Sequence, residues 1–116
     1  MKLTIDRQEW LHGEGSSTSC LLRTSDGKRC CVGIYARALG VKDELLRDVA
    51  WPRQNITNHW DAAEAPWLLP WNGVGGCNEF ERQRLAVLND APKIANREAD
   101  IKEIFARHDV DVTFIN

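Results

Sequence analysis

Residues 26–40, DGKRCCVGIYARALG, decide how this chain is read. Asp26-Gly27 is a hairpin-turn signal, because both residues tolerate positive φ. From Cys30 onward the apolar positions Cys30, Cys31, Ile34, Tyr35, Ala38 and Leu39 recur at three- and four-residue spacings, which describes one face of a helix. Gly40 stands where a C′ glycine ends such a helix. Either the helix begins near Arg29 or a short strand passes into one near Gly33. In both cases at least one of the two adjacent sulfurs faces the interior.

Toward the N-terminus, Cys20-Leu21-Leu22-Arg23 reads as a strand entering the Asp26-Gly27 turn. Glu14-Gly15-Ser16-Ser17-Thr18-Ser19 before it is small and polar, a surface loop. Asp6-Arg7-Gln8-Glu9 has capping-box spacing and predicts a short helix through Trp10 and Leu11, closed by Gly13. Lys2-Leu3-Thr4-Ile5 alternates as a half-buried strand does.

Toward the C-terminus, Asp43 can cap a short helix carrying Leu45, Leu46 and Val49. A second capping-box pattern at Asn78-Glu79-Phe80-Glu81 opens a helix running to about Asn89, with Phe80, Leu85, Val87 and Leu88 as its apolar residues; Asn89-Asp90-Ala91-Pro92 ends it. Asn96 caps a last helix in which Ile101, Ile104, Phe105 and His108 form one stripe. Val110, Val112 and Phe114 then alternate with polar neighbours in a final strand. The expected architecture is α+β in one domain, 1–116: a small antiparallel sheet that includes both terminal strands, covered by four or five short helices.

Composition narrows the function classes. With 116 residues, 43% hydrophobic and 28% charged, the chain is one ordinary globular domain. A net charge of -2, from 15 basic and 17 acidic residues, lacks the positive field that phosphate backbones attract. No apolar leader and no stretch near ~20 apolar residues is present, so no membrane partner is expected and the setting read is cytoplasmic. There Cys20, Cys30, Cys31 and Cys77 stay reduced.

Each chemical reading has a plainer rival. Cys30 or Cys31 could be a nucleophile at a helix N-terminus, with His12, His59 or His108 as base, but nothing in the sequence places an imidazole nearby, and small thiols commonly fill crowded helix faces. No C-x₂-C knuckle presents two thiolates to one ion, so no metal or other cofactor is expected. Gly73-Val74-Gly75-Gly76 before a helix resembles an anion nest; without a P-loop lysine, and with Glu79 and Glu81 in the first turn, a flexible connector fits better. His108 reads as a cap on the last helix, acting on its dipole. Asp109 and Asp111 flank it with both carboxylates on one strand face, which invites a metal reading; a solvated strand edge explains them as well.

The least regular segment is the most informative. Residues 50–77 form a long loop with no period of two or 3.6, and hold Pro52, Pro66, Pro70 and four of the five tryptophans. A structureless segment of this length in a small domain is usually functional or disordered, and its tryptophans argue against plain disorder. Trp51, Trp60, Trp67, Leu68, Leu69 and Trp71 make a stiff apolar ribbon, and tryptophan is enriched at binding hot spots. The rival is a lid folded over the protein's own core.

The pattern KLTIDR, Trp10, Gly13, LLR and DGK.CC.G, with a VDVTF end, resembles a family of small uncharacterised bacteriophage and prophage proteins. The resemblance covers most of the N-terminal third and, more loosely, the C-terminus, and brings no catalytic residue. It implies an accessory protein that binds a host protein stoichiometrically in the host cytoplasm, of the kind that includes inhibitors of CRISPR and other defences. Two other classes compete: a thiol-dependent enzyme or redox protein using Cys30 or Cys31, and a nucleic-acid-binding protein whose Arg23, Lys28, Arg29, Arg47 and Arg53 gather on one side.

Overall fold

The two ends of the chain pair first. In the computed structural model, which describes residues 1–15, 18–49 and 79–116 apart from the side chains at 79, 80 and 82, strand β1 (Lys2–Asp6) lies beside strand β2 (Asp111–Ile115). Leu3 pairs with Val112 and Ile5 with Phe114, so the apolar residues of both strands fall on one face. Lys2 opposite Asp111 and Thr4 opposite Thr113 fall on the other. Leu3, Ile5 and Val112 are buried, Phe114 is half-buried, and Lys2, Thr4, Asp111 and Thr113 are exposed.

The pairing of the termini is as expected; its direction is not. The strands run parallel rather than antiparallel. Alternation specifies which residues share a face, and either direction satisfies it. A parallel pair requires a long crossover, and here all the intervening helices supply it. The final reversal occurs after the last helix, where Asp109 takes a left-handed conformation with φ 61° and the chain turns directly into β2.

Among the described residues there are three α-helices, α1 (Cys31–Ala38), α2 (Glu79–Asp90) and α3 (Arg97–Ala106), and one 3-10 turn, Asp43–Leu45. That is fewer than four or five helices. The predicted helix after Asp6 is a single turn: Asp6 Oδ1 accepts from Gln8 N, and Asp6 O accepts from Glu9 N and Trp10 N at 3.0 Å. Helix propagation stops there because Trp10 forms a bridge with Arg29 and the Glu9 carboxylate reaches out to Arg37 instead of back to its own turn. The Asp26-Gly27 turn forms, closed by Arg23 N to Lys28 O at 2.8 Å with Gly27 at φ 74°, but its arms do not become a strand pair.

Helix α1 is the spine of the core. Cys31, Val32, Gly33, Ile34, Tyr35 and Ala36 are all buried, and the helix ends as its sequence predicts: Gly40 has φ +85°, Gly40 N donates to Arg37 O and Val41 N to Ala36 O, the Schellman pattern. Gly33 is obligatory for packing. A Cβ there would stand 2.0 Å from Leu21 O, so α1 presses its backbone against the 18–22 segment. Tyr35 meets the Phe105 edge at 5.3 Å, joining α1 to α3. Each fully buried Leu, Ile or Phe at this junction contributes about 1.5–3 kcal/mol relative to exposure.

Candidate functional site

Polar chemistry inside the molecule concentrates at the C-terminal end of α2. Asn89 is fully buried, and every hydrogen-bonding position of its amide is used. Oδ1 accepts from Trp10 Nε1 at 2.9 Å and from Cys31 N at 3.0 Å; Nδ2 donates to Leu11 O at 3.0 Å, Thr18 O at 3.1 Å and Asp90 Oδ1 at 3.0 Å. One side chain thereby ties together the segment after β1, the polar loop and the N-terminus of α1. Asp90 extends the network by accepting from Thr18 Oγ1 at 3.2 Å and from Ser19 Oγ. The Arg97 guanidinium closes the end of α2, donating to Leu88 O and Asn89 O at 2.9 Å and to Ala91 O. A network so fully satisfied rigidifies a core and leaves no group over for a substrate.

The paired thiols lie beside this hub, sealed. Cys30 and Cys31 are fully buried and Cys20 nearly so, and all three are free. Burial pushes the Cys30 thiol up to about 12 and Cys31 well above its ordinary value, and the Asp90 carboxylate raises both further. A thiolate at either position would be desolvated next to an anion, the reverse of a reactive cysteine's environment. His12 stacks on Trp10 at 3.8 Å, with Nδ1 3.0 Å from Trp10 O. His108 lies just beyond the end of α3, with Nε2 3.1 Å from the buried Glu81 carboxylate of α2. Among the described residues no three His, Cys, Asp or Glu side chains gather to hold a metal.

Three of the arginines are engaged by carboxylates. Arg23 donates to Asp26 from Nε at 3.1 Å, Arg37 Nη1 to Glu9 Oε2 at 2.7 Å and Arg29 Nη2 to Asp43 Oδ1 at 2.8 Å. Asp26 is held at about 2 by the Arg23 guanidinium and the Lys28 amide. Paired in this way, the group of three carries little uncompensated charge. Arg29 is the exception within it. The residue is 5% exposed, and its Nε and Nη1 are buried with no hydrogen-bond partner among the described residues.

Trp51, Trp60, Trp67, Leu68, Leu69 and Trp71, with Arg53, His59, the Gly73–Gly76 run and Cys77, lie outside the described residues. Of the two polar centres, Arg29 figures in the sequence reading only as one of a group of basic residues, and Asn89 only as the end of a helix. Asn89 carried a signal: it stands at i, i+3, i+4 with Leu85 and Leu88, an amide on the buried stripe of its helix. No protein-family model, curated protein or solved structure matches the chain. Among the described residues no helix is long and apolar enough to cross a membrane.

Proposed function

We propose that this protein acts by stoichiometric binding to a host protein, with the tryptophan-rich segment as its contact surface and the α+β body as the mount. The observation that carries this reading is how firmly both ends of that segment are held. On one side Leu46 is fully buried and Val49 O accepts from Leu21 N at 2.8 Å. On the other, α2 is anchored through Leu85, Leu88 and Asn89, all buried. Residues 50–78, with Trp51, Trp60, Trp67 and Trp71, are inserted between these two anchors. Exposed tryptophan on a rigid mount contributes much affinity at small ordering cost. The phage resemblance supports a bacterial host protein as the partner class, a component of a defence system such as CRISPR being one instance, with the host cytoplasm as the setting.

The test is co-purification from a bacterial lysate, followed by reconstitution with the identified protein and measurement of stoichiometry. The expected result is a fixed ratio with the wild-type chain and loss of the complex in Trp67→Ala/Trp71→Ala at unchanged Tm. Binding unaffected by that double substitution moves the interface elsewhere. The thiol-enzyme reading has its own check: labelling of Cys30 and Cys31 at neutral pH is expected to be slow and limited by unfolding, and rapid labelling of either in the native protein would restore that reading.

A further inference from the structure

We infer that the outer edge of β1 is a docking edge for a second copy of this chain, which adds its own β1 antiparallel about a two-fold axis at Thr4 and completes a four-stranded sheet. This inference does not depend on the host-protein reading. The ladder bonds fix which way each backbone group points. Asp111 N donates to Met1 O at 2.8 Å and Arg7 N to Ile115 O at 2.9 Å, so the odd-numbered residues of β1 face β2. Lys2, Thr4 and Asp6 therefore turn their N–H groups to the opposite edge. Among the described residues no backbone hydrogen bond is made there by the N–H or C=O of Lys2 and Thr4 or by the N–H of Asp6. The two edges of the sheet differ in cover. Along β2 the outward groups belong to Val112, 1% exposed, and to half-buried Phe114, so the body of the protein closes that side; along β1 they belong to exposed Lys2 and Thr4 and half-buried Asp6. An open row of strand donors and acceptors is a template for another strand, and a two-stranded sheet is the kind that gains most from extension.

The residues of β1 say which strand fits. Lys2-Leu3-Thr4-Ile5-Asp6 is complementary to its own reverse. With Thr4 opposite Thr4 of the second copy, Lys2 lies across from Asp6 of the second copy at both ends, and Leu3 across from Ile5. Every opposed pair on the solvent face is then a favourable one: two Lys–Asp pairs and one Thr–Thr pair. Among the described residues neither charge is in an ion pair within one copy; Asp6 Oδ1 accepts from Gln8 N at 2.9 Å. Asp6 O already accepts from Glu9 N and Trp10 N, which leaves four bonds across the axis, Thr4 N to Thr4 O twice and Asp6 N to Lys2 O twice. Leu3 and Ile5 stay on the core face, where both are buried. A slip of two residues loses both charge pairs, and a slip of one turns the apolar residues outward, so this register is specified.

The experiment is sedimentation equilibrium of the full chain up to about 1 mM, with amide exchange followed by NMR over the same range. A dimer with Kd on the order of 100 μM is expected, because strand-edge pairing buries little area, and the Thr4 and Asp6 amides should exchange more slowly as concentration rises. Thr4→Pro removes an N–H that makes no bond within one copy, a change that an edge strand tolerates, and should abolish the dimer at nearly unchanged Tm. Lys2→Glu, at an exposed position, sets like charges opposite each other twice and should raise Kd about tenfold. The inference is overturned if the chain stays monomeric to about 1 mM, which would leave the edge to a strand of another protein. It is equally overturned by a dimer indifferent to both Thr4→Pro and Lys2→Glu, which would have its interface elsewhere.

Discussion

Asn89 and Arg29 are two buried polar side chains on opposite accounts with their surroundings. Asn89, at the end of α2, meets acceptors and donors on every side: an indole, a helix-initiating amide, two carbonyls and a carboxylate. Arg29, on the other flank of the α1 N-terminus, carries a full charge and satisfies one of its three nitrogens. The neutral amide is a fastening, since removing it would strand the groups it serves. The cation is not a fastening of that kind, since Asp43, its one side-chain partner among the described residues, is half in water and would not be stranded by its loss. The difference teaches that burial by itself does not say how well a polar side chain is accommodated; the number of satisfied bonds does.

The largest effect is expected from Asn89→Leu. It leaves Trp10 Nε1, Cys31 N, Leu11 O and Thr18 O without the amide they share, at a cost on the order of 4 kcal/mol. A clear fall in urea midpoint checks this, and a loss under about 1 kcal/mol would break the contrast. Next is Gly33→Ala, because the new methyl meets the Leu21 carbonyl, which is backbone and cannot swing aside; about 3 kcal/mol is expected by the same measurement. It tests whether the segment that feeds the hub is clamped to α1 as tightly as the distance implies.

Arg29→Met sharpens the contrast from the other side. Replacing a poorly satisfied buried cation by an apolar chain of similar length should change stability by no more than about 1 kcal/mol in either direction. A loss matching that of Asn89→Leu would make Arg29 a fastening too. The smallest effect belongs to the exposed Arg23–Asp26 pair. Asp26 is lowered from 3.8 to about 2, so its folded form is favoured above the unfolded pKa and that advantage disappears as pH falls through about 2. Asp26→Asn should therefore flatten the acid limb of Tm against pH between about 4 and 2, slightly, because solvent screens the pair.

Much of the fold was legible from local pattern. The Gly40 stop of α1, the α3 stripe of Ile101, Ile104 and Phe105, and the alternation in both terminal strands all appear as written, because each follows from neighbours within one or two turns; the α1 stripe does not, since Ala38 is exposed while Val32, Gly33 and Ala36 are buried by packing on both sides of the helix. The reading of Cys30 and Cys31 as packing also agrees with their complete burial. The turn after Asp6 was illegible for a physical reason: its capping signal is genuine, but Trp10 is drawn off by Arg29 and Asn89, and a nucleus of one turn cannot outweigh that. The tryptophan segment, where the sequence put its binding residues, falls outside the described residues, so the body contributes to that proposal through its anchors alone.

The sequence by itself determined most of the apolar residues that go inside and the longer local elements that carry them, since periodicity is a property of adjacent positions. Only the tertiary structure decided that β1 and β2 run parallel, that Asn89 meets Trp10 across 79 positions of chain, and that Arg29 is left with unpaired donors. Strand direction and hydrogen-bond satisfaction depend on what arrives from distant parts of the chain, and no local period encodes that arrival.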